Sequence, residues 1–284
     1  MSPAPFPARR AAVLGWPVAH SLSPALHHAG FQAAGLSGWD YQRIACDAEQ
    51  LPGLVTASGP EWAGFSVTMP GKAAAAAVAG VRSSRVDLLG VANTLYRGPS
   101  GNWQAENTDV DGVVGALRAA GVTPHRALLL GGGGTAMSVV AALAELGAVS
   151  VTLAGRRPAS TAGAAALAAR LALPAQVCDL SVAAVAEAAA GVDLVVSTVP
   201  AGAADHLATT LAPVPVLFDV VYAPWPTAPA AASAPGRVVV TGLDMLLHQA
   251  FRQFELFTGH AAPRAAMRAG LLEASGATLP LPIG

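Results

Sequence analysis

Short apolar runs alternate along this chain with longer segments that are compatible with helices. Because strands separated by helices usually build parallel sheets covered on both faces, this pattern predicts an α/β fold. We expect strands at Arg10–Leu14, Tyr41–Ile44, Ala63–Val67, Ala92–Tyr96, Asn102–Ala105, Val149–Ala154, Asp193–Ser197, Leu217–Asp219 and Arg237–Thr241. We expect helices at Ser23–Ala34, Lys72–Val78, Asp109–Ala120, Met137–Leu146, Thr161–Leu171, Val182–Ala189 and Leu243–Thr258.

The segment Leu128–Ala136 indicates a dinucleotide site. An apolar run typical of a buried parallel strand passes into four consecutive glycines, and a helix-compatible run follows directly. Gly131, Gly133 and Ala136 occupy the fixed positions of the pattern G-x-G-x-x-G/A. There the glycines permit a tight turn and a close approach to a pyrophosphate, which binds free N–H groups at the helix start. Glycine-rich loops also serve as plain turns, but the flanking strand and helix favour the site.

The next strand ends in Gly155-Arg156-Arg157, with no carboxylate at its tip. A site for NAD would need an acidic residue there to accept a hydrogen bond from the ribose 2′-hydroxyl. A guanidinium instead suits a 2′-phosphate, through charge-assisted hydrogen bonds, and it can stack on adenine. Two arginines after a strand can also form an ordinary solvated turn. Their place one βα unit after the glycine loop predicts NADP as the cofactor.

The length of 284 residues predicts two domains. The dinucleotide-binding unit begins near Pro124, and Tyr222–Pro235 is a proline-rich loop near its end. We expect an NADP-binding Rossmann-type, doubly wound parallel-sheet domain over residues 109–242. Residues 1–108 would form an α/β substrate-binding and catalytic domain, completed by C-terminal helices in residues 243–284 that lack a sheet of their own.

Composition and charge exclude several classes of protein. The net charge of −1 supplies no basic field for nucleic acid. Ala127–Ala144 carries no charge, but its four glycines break it into strand, turn and helix, so we expect no membrane span. The isolated Cys46 and Cys178 favour thiols in a reducing cytoplasm, and no metal-ligand spacing appears. No interface pattern distinguishes a monomer from a homodimer.

Four polar segments in the N-terminal region are candidates for chemistry. Ser23 precedes Pro24 and could be only a helix N-cap, whereas Ser21 has no such structural role. Asp109 could also be a helix cap, and Lys72 a solvated surface residue. These residues support hydride transfer with a lysine or histidine as proton carrier. The segments are His20-Ser21-Leu22-Ser23-Pro24, Ser66-Val67-Thr68-Met69-Pro70-Gly71-Lys72, Gly90-Val91-Ala92-Asn93-Thr94 and Asn107-Thr108-Asp109-Val110-Asp111-Gly112.

Together the four segments resemble the shikimate dehydrogenase family. Its patterns are H-S-x-S-P, N-V-T-x-P-x-K, G-A-x-N-T and N-T-D-x-x-G, in this order. The C-terminal half agrees, since Asp219-Val220-Val221-Tyr222 resembles D-x-x-Y and Gly242–Ala250 resembles G-x-x-M-L-x-x-Q-A. The resemblance spans roughly residues 11 to 260 and departs at three positions. Ser66 and Gly155 replace asparagines of the family pattern, and Asp244 replaces a common glycine.

The resemblance implies an enzyme that interconverts shikimate and 3-dehydroshikimate with NADP in aromatic amino-acid biosynthesis. Lys72 would be the acid/base and Asp109 its partner. Ser21 and Ser23 would contact the substrate carboxylate, and Thr68, Asn93, Tyr222 and Gln249 the ring hydroxyls and their surroundings. The cofactor would be held by Gly131, Gly132, Gly133, Gly134, Thr135, Ala136, Gly155, Arg156, Arg157, Thr198, Val220 and Gly242.

Two alternatives remain open from the sequence. One is a related dehydrogenase that acts on quinate or aminoshikimate, with NAD as a further option; the basic tip at Arg156 argues against NAD. The other is a non-catalytic NADP-binding sensor, against which the presence of both Lys72 and Asp109 speaks. Gln249, on an otherwise apolar helix face, is either a satisfied core amide or a ligand contact.

Overall fold

The computed structural model describes residues 9–283 and divides them into two compact units. The first unit combines the residues up to Asp111 with Leu246–Ile283. The second unit is Gly112–Met245. Two helices, Asp109–Ala119 and Gly242–Thr258, therefore have residues in both units.

The first unit contains six strands and the helices that follow them. Its strands are β1 (Arg9–Gly15), β2 (Trp39–Ala45), β3 (Trp62–Val67), β4 (Val81–Arg82), β5 (Thr94–Arg97) and β6 (Trp103–Glu106). Its helices are α1 (Ser23–Ala33), α2 (Leu51–Ala57), α3 (Lys72–Val78), α4 (Ser84–Leu89), the start of α5 (Asp109–Ala119), most of α11 (Gly242–Thr258) and α12 (Arg264–Ser275).

The strands of the first unit form one mixed sheet in the order β2-β1-β3-β5-β6-β4. β1 runs parallel to β2 and β3, whereas β5 is antiparallel to both β3 and β6. The sheet is therefore mixed, because β5 and β6 form a tight hairpin that reverses the chain. The reversal places the carboxyl ends of β1, β3 and β6 and the amino end of β5 at the same edge of the sheet.

The core of the first unit lies on both sides of this sheet. Phe65 and Trp103 pack against each other with ring centroids 5.1 Å apart. On the opposite face of the sheet α1 packs against α12. Gly30 of α1 leaves room there for Phe254 and Met267, whose atoms lie about 3 Å from where a Cβ on Gly30 would be. The C-terminal helices thus share a core with the N-terminal sheet.

The second unit contains a six-stranded parallel sheet in the order β12-β11-β10-β7-β8-β9. The strands are β7 (Arg126–Leu130), β8 (Ser150–Gly155), β9 (Ala175–Asp179), β10 (Leu194–Ser197), β11 (Val216–Asp219) and β12 (Val238–Thr241). The helices are α6 (Gly134–Glu145), α7 (Pro158–Arg170), α8 (Val182–Ala189), α9 (Ala208–Leu211) and α10 (Ala228–Ala231), with a 3₁₀ turn at Asp205–Leu207.

Helices cover both faces of the second sheet. Leu128 and Leu130 pack in one cluster with Val185 and Leu211 of the helices on their side. Because successive strand residues point to opposite faces, the fully buried Leu129 faces the other side. The strand order reverses between β7 and β10, which is the switch point where doubly wound sheets bind ligands. The observed architecture is the expected α/β fold.

Candidate active site

The shared edge of the first sheet collects residues from distant parts of the sequence. Loops after β1 and β3 carry Ser21 and Thr68, and the latter loop leads to Lys72. Asn93 immediately precedes β5, outside the strand expected to include it, and Asp109 starts the helix that follows β6. In the sheet Ser66 of β3 pairs with Thr94 of β5, and Thr94 pairs with Glu106 of β6. The end of β3, the start of β5 and the end of β6 therefore lie side by side.

Lys72 and Asp109 form a nearly buried ion pair. Lys72 is the first residue of α3, and its Nζ donates a hydrogen bond to Asp109 Oδ2. The exposed fractions of the two side chains are 16% and 4%. The ammonium has no other hydrogen-bond partner among residues 9–283, so two of its three N–H donors remain for a ligand. A solvated surface lysine, one of the two interpretations from sequence, is therefore wrong for Lys72.

Asn93 fixes the other oxygen of this carboxylate. Its Oδ1 accepts from the Thr108 backbone N–H at 2.7 Å and from the Thr94 hydroxyl at 2.9 Å. Because a backbone N–H can only donate, the amide orientation is determined, and Nδ2 must face the opposite way. Nδ2 donates to Asp109 Oδ1 at 2.9 Å. Both oxygens of Asp109 are thus held by side chains from other elements, a role beyond helix capping.

Gln249 reaches this group from α11. Its Oε1 accepts from Asn93 Nδ2 at 2.8 Å, while its Nε2 has no hydrogen-bond partner in the described part of the chain. The side chain is half-buried. Gln249 is therefore neither a fully satisfied core amide nor a distant residue, since it presents an open amide donor beside Asn93 and Asp109.

The two serines after β1 lie together. α1 begins at Ser23 itself, its N-cap is Leu22, and no side chain caps it. The capping interpretation of Ser23 is therefore wrong, because the helix starts one residue earlier than that interpretation requires. Ser21 Oγ donates to Ser23 Oγ at 3.2 Å, and Arg43 Nε donates to the Ser21 carbonyl at 2.8 Å. These contacts hold two adjacent hydroxyls on one turn.

Thr68 is exposed at the end of β3 and is fixed through its backbone. Its N–H donates to the Leu14 carbonyl at 2.9 Å, so the loop stays attached to β1. Gly15 makes this approach possible, because a Cβ there would collide with the Thr68 methyl group. Substitution of Gly15 would displace Thr68 from the edge.

The glycine loop of the second unit has the shape of a phosphate cradle. Gly131 has φ of +109°, a conformation that L side chains rarely adopt, and Gly132 touches the Ser160 carbonyl, which excludes any Cβ. A Cβ on Gly133 would meet only open space. α6 starts at Gly134, not at Met137 as expected, so the N–H groups of Gly134 and Thr135 belong to its unpaired first turn.

The residues at the tip of β8 also fit a phosphate. Arg156 and Arg157 are both exposed directly after the strand. Gly155 is packed against Ser160, whose Oγ lies 2.5 Å from where a Cβ would be. The serine hydroxyl donates to the Arg157 carbonyl at 2.6 Å. In this chain the side chains of Ser160 and Thr161 fill the space that an asparagine side chain at position 155 would need.

Three further cofactor candidates lie at the carboxyl ends of β10 and β11 and at the start of α11. Thr198 Oγ1 donates to the Leu130 carbonyl at 2.8 Å and connects the ends of β10 and β7. A Cβ on Gly242 would collide with the Val220 carbonyl and come within 3.0 Å of Tyr222 Cδ1. Burial raises the pKa of the Tyr222 phenol, so it is neutral at physiological pH.

Asp219 organises the loop that carries Tyr222. Its Oδ2 accepts from Thr227 Oγ1 at 2.7 Å and its Oδ1 from the Val221 N–H at 3.1 Å. Burial raises the pKa of this carboxyl, although the two hydrogen bonds oppose the rise. The loop is therefore attached at both ends to the end of β11.

Asp244, the third departure from the family pattern, has a local structural role. Thr241 Oγ1 accepts from the Leu243 N–H at 3.2 Å, and Asp244 Oδ2 accepts from the Thr241 N–H at 2.8 Å. This reciprocal arrangement is a capping box at the start of α11 with aspartate in the third position. The substitution stabilises the start of that helix.

The sequence motifs assign no role to four buried residues of the first unit, which are Tyr41, Gln253, Thr94 and Thr108. In the structure these residues form one hydrogen-bonded polar cluster with Asn93 and Asp109. One signal was available for Gln253, which follows Gln249 by one helical turn on the same face. Another signal concerns Lys72, which is the only lysine among the 16 lysines and arginines of this chain. A chain that otherwise uses arginine places its single lysine in this cluster.

Within residues 9–283 no group of three or more His, Cys, Asp and Glu side chains is arranged to hold a metal ion. No helix in the same range is both long and apolar enough to cross a membrane.

Comparisons with known proteins give consistent matches. Family models described as the shikimate dehydrogenase substrate binding domain and the shikimate 5'-dehydrogenase C-terminal domain match residues 13–95 and 242–272. The NADP(+) shikimate dehydrogenase of Acidiphilium cryptum is 40% identical over 261 residues, which cover 89% of this chain and 91% of the relative. The shikimate dehydrogenase structure from Mycobacterium tuberculosis is 50% identical, with a TM-score of 0.86 and coverage of 93% and 99%. The Thermus thermophilus enzyme, in complex with NADP(H) and shikimate, is 33% identical, with a TM-score of 0.79 and coverage of 94% and 99%.

Proposed function

The chain belongs to the shikimate dehydrogenase family, and on that premise we propose that Lys72 is its acid/base and Asp109 the partner of Lys72. The protein is an NADP-dependent oxidoreductase that interconverts shikimate and 3-dehydroshikimate. The observation that carries the residue assignment is the buried contact of Lys72 Nζ with Asp109, whose other oxygen is held by Asn93. No other lysine in the chain can take this role.

The geometry suits reduction of a ring ketone. When bound, NADPH supplies the hydride for the carbonyl carbon. Lys72 has free N–H donors, so its ammonium can donate a proton to the carbonyl oxygen as alkoxide charge develops there. Asp109 orients the ammonium and balances its charge in a site from which water is largely excluded. In the direction of alcohol oxidation, neutral Lys72 accepts the hydroxyl proton. A positioned proton donor of this kind contributes about 10²–10⁴-fold in rate.

We assign the remaining substrate contacts by polarity. The paired hydroxyls of Ser21 and Ser23 would receive the carboxylate, as the family resemblance implies. Asn93 and the open Nε2 of Gln249 would bind ring hydroxyls next to Lys72. Thr68 and Tyr222 complete the proposed set, and the neutral phenol of Tyr222 can donate a hydrogen bond.

The second unit provides the proposed cofactor contacts. The open space at Gly133 and the unpaired N–H groups at the start of α6 suit a pyrophosphate. Arg156, with help from Arg157, would bind the 2′-phosphate. The other cofactor contacts are proposed to come from Gly131, Gly132, Gly134, Thr135, Ala136, Gly155, Thr198, Val220 and Gly242. The 109–242 segment would then be the NADP-binding domain, and residues 1–108 with 243–284 the substrate domain.

The remaining properties are proposed from composition. A small-molecule enzyme without a basic field has no need of nucleic acid, and a thiol pair without disulfide spacing suits the cytoplasm. A monomer or a homodimer would accommodate the proposed site.

One assay of the wild-type protein tests this function. NADPH oxidation is followed with 3-dehydroshikimate, and the reverse reaction with shikimate and with quinate, each with NADP and with NAD. We expect turnover with the shikimate pair and NADP. A preference for quinate or NAD would favour the related dehydrogenase, and cofactor binding without any turnover would favour a sensor.

A further inference from the structure

A buried chain of hydrogen bonds connects Tyr41 to Asn93 through side chains that the mechanism above does not use. Tyr41 Oη donates to Ser66 Oγ at 2.6 Å, and Ser66 Oγ donates to Gln253 Oε1 at 2.8 Å. Gln253 Nε2 donates to Thr94 Oγ1 at 3.2 Å. The three connecting residues come from β2, β3 and α11, and we call them the bridge: Tyr41, Ser66 and Gln253.

The two ends of the bridge reach the two halves of the proposed substrate site. At one end Thr94 Oγ1 donates to Asn93 Oδ1, whose amide holds Asp109. At the other end the Ser23 hydroxyl lies near the Tyr41 phenol, where it opposes the rise in the pKa of that phenol that burial causes. The bridge therefore extends from beside the Ser23 hydroxyl to the amide that orients the Asp109 carboxylate.

The bonds of the chain run in one consistent direction. The Thr108 N–H requires Asn93 Oδ1 as its acceptor. With the Thr94 hydroxyl also donating to Asn93 Oδ1, the Thr94 oxygen accepts from Gln253 Nε2. In the same arrangement Gln253 Oε1 accepts from Ser66, and Ser66 accepts from Tyr41. Reversal of one member would place two donors or two acceptors face to face in a buried site.

The bridge is buried and carries no charge. Tyr41, Ser66 and Gln253 are 2%, 5% and 3% exposed. His27 stacks on Tyr41 with ring centroids 4.2 Å apart, and burial lowers the pKa of His27 to about 3, so it stays neutral. An amide such as Gln253 does not exchange protons at physiological pH. The chain can therefore transmit orientation but cannot act as a proton relay.

Ser66 is withdrawn from the substrate by this arrangement. Its hydroxyl accepts from Tyr41 and donates to Gln253, so it has a partner on each side. The family pattern has an asparagine here, and the shorter serine leaves space for the Tyr41 hydroxyl. Tyr41 and Ser66 thus act together where the pattern has one longer side chain.

We propose that Tyr41, Ser66 and Gln253 are positioning residues that hold the carboxylate-binding serines and the Asn93–Asp109 pair in one fixed relation. This inference rests on the proposed function, in which the serines receive the substrate carboxylate. It predicts that the bridge contributes to kcat as well as to substrate affinity.

The test compares Tyr41→Phe, Gln253→Met and the double variant with Tyr96→Phe as control. The Tyr96 phenol also donates to a glutamine, Gln104 at 2.8 Å, but no bond joins it to the bridge. For each protein, kcat and KM are measured with 3-dehydroshikimate as the substrate, shikimate affinity by calorimetry, and the melting temperature by circular dichroism. If Gln253→Met does not fold, Ser66→Ala cuts the same chain with the loss of a single oxygen.

The two single variants are expected to affect different kinetic constants, KM for Tyr41→Phe and kcat for Gln253→Met. Tyr41→Phe should raise KM about 2- to 12-fold, as expected for one lost neutral hydrogen bond, with a smaller change in kcat. Gln253→Met should lower kcat about 5-fold or more, because it releases Thr94 and Asn93. The double variant should lose less in kcat/KM than the product of the single losses, since both cut one chain. Tyr96→Phe should match the wild type.

Three results would overturn the inference. Wild-type kinetics in Tyr41→Phe and Gln253→Met, with only a lower melting temperature, would leave the bridge a stabilising role alone. Losses that multiply in the double variant would show that the residues act independently. A wild-type protein that neither binds shikimate nor turns over would contradict the proposed function, and the bridge with it.

Discussion

Replacement of Asp109 by asparagine tests the geometry of the catalytic pair most specifically. In the wild type one oxygen accepts from the Lys72 ammonium and the other from Asn93 Nδ2. The substitution turns one of these oxygens into an NH₂ donor, which must face another donor. Asn93 cannot rotate to compensate, because its Oδ1 is held by the Thr108 N–H.

The expected loss in kcat/KM follows from the hydrogen bonds to the Asp109 carboxylate that the substitution removes. A hydrogen bond to a charged group contributes about 1.5–3 kcal/mol, and at least one is lost. If this stabilisation belongs to the transition state, kcat/KM for 3-dehydroshikimate falls by about 10- to 150-fold. NADPH affinity should remain within about twofold, since Asp109 has no part in the proposed cofactor contacts.

Asp111→Asn is the matched control. This residue lies two positions further along the same helix and pairs with Arg85 at 2.7 Å, with both side chains partly exposed. The same chemical change there should leave kcat/KM nearly unchanged, because exposed ion pairs contribute little. The reasoning is refuted if Asp109→Asn retains kcat/KM within about threefold of the wild type, or if the two variants lose equally.

Three further variants or treatments test other parts of the site. Arg156→Ala should weaken NADPH binding about tenfold to a hundredfold and leave NAD binding almost unchanged, as measured by titration of intrinsic fluorescence. Equal weakening of both cofactors would mean that Arg156 does not bind the 2′-phosphate. Gln249→Ala should raise KM for shikimate with little effect on NADP affinity, and an unaltered KM would contradict the contact. Because Lys72 is the only lysine, reductive methylation should inactivate the wild type and shikimate should slow the loss, whereas methylation without loss of activity would contradict its role.

Much of the fold was predictable because its determinants are local. The glycine loop, the apolar strands and the hairpin turn each leave a signal within a few residues. Leu51–Ala57 and Ser84–Leu89 were missed because short helices carry too few turns to show a period, whereas the equally short Lys72–Val78 is marked by its run of alanines. The edge strand Ala175–Asp179 is largely exposed and has no apolar pattern.

The site was predictable in its residues but less in its connections. Motifs identified Lys72, Asp109 and Asn93, yet the bond from Asn93 to Gln249 joins residues 156 positions apart. Such pairs depend on the order of the strands in the sheet and on which helix packs against it, which the alternation of apolar runs does not encode. The bonds of the bridge were invisible for the same reason. Ser66 lies in a motif, but Tyr41 and Gln253 have no evident partners until the elements are packed.

The turnover of Lys72→Ala, measured together with its affinity for shikimate, tests the central claim most directly. The account predicts that kcat and kcat/KM for 3-dehydroshikimate fall together by about 10²–10⁴-fold, while calorimetry finds shikimate affinity within a few-fold of the wild type. Circular dichroism and NADPH binding establish that the variant is folded. A folded Lys72→Ala protein with wild-type kcat would contradict the claim that Lys72 is the acid/base.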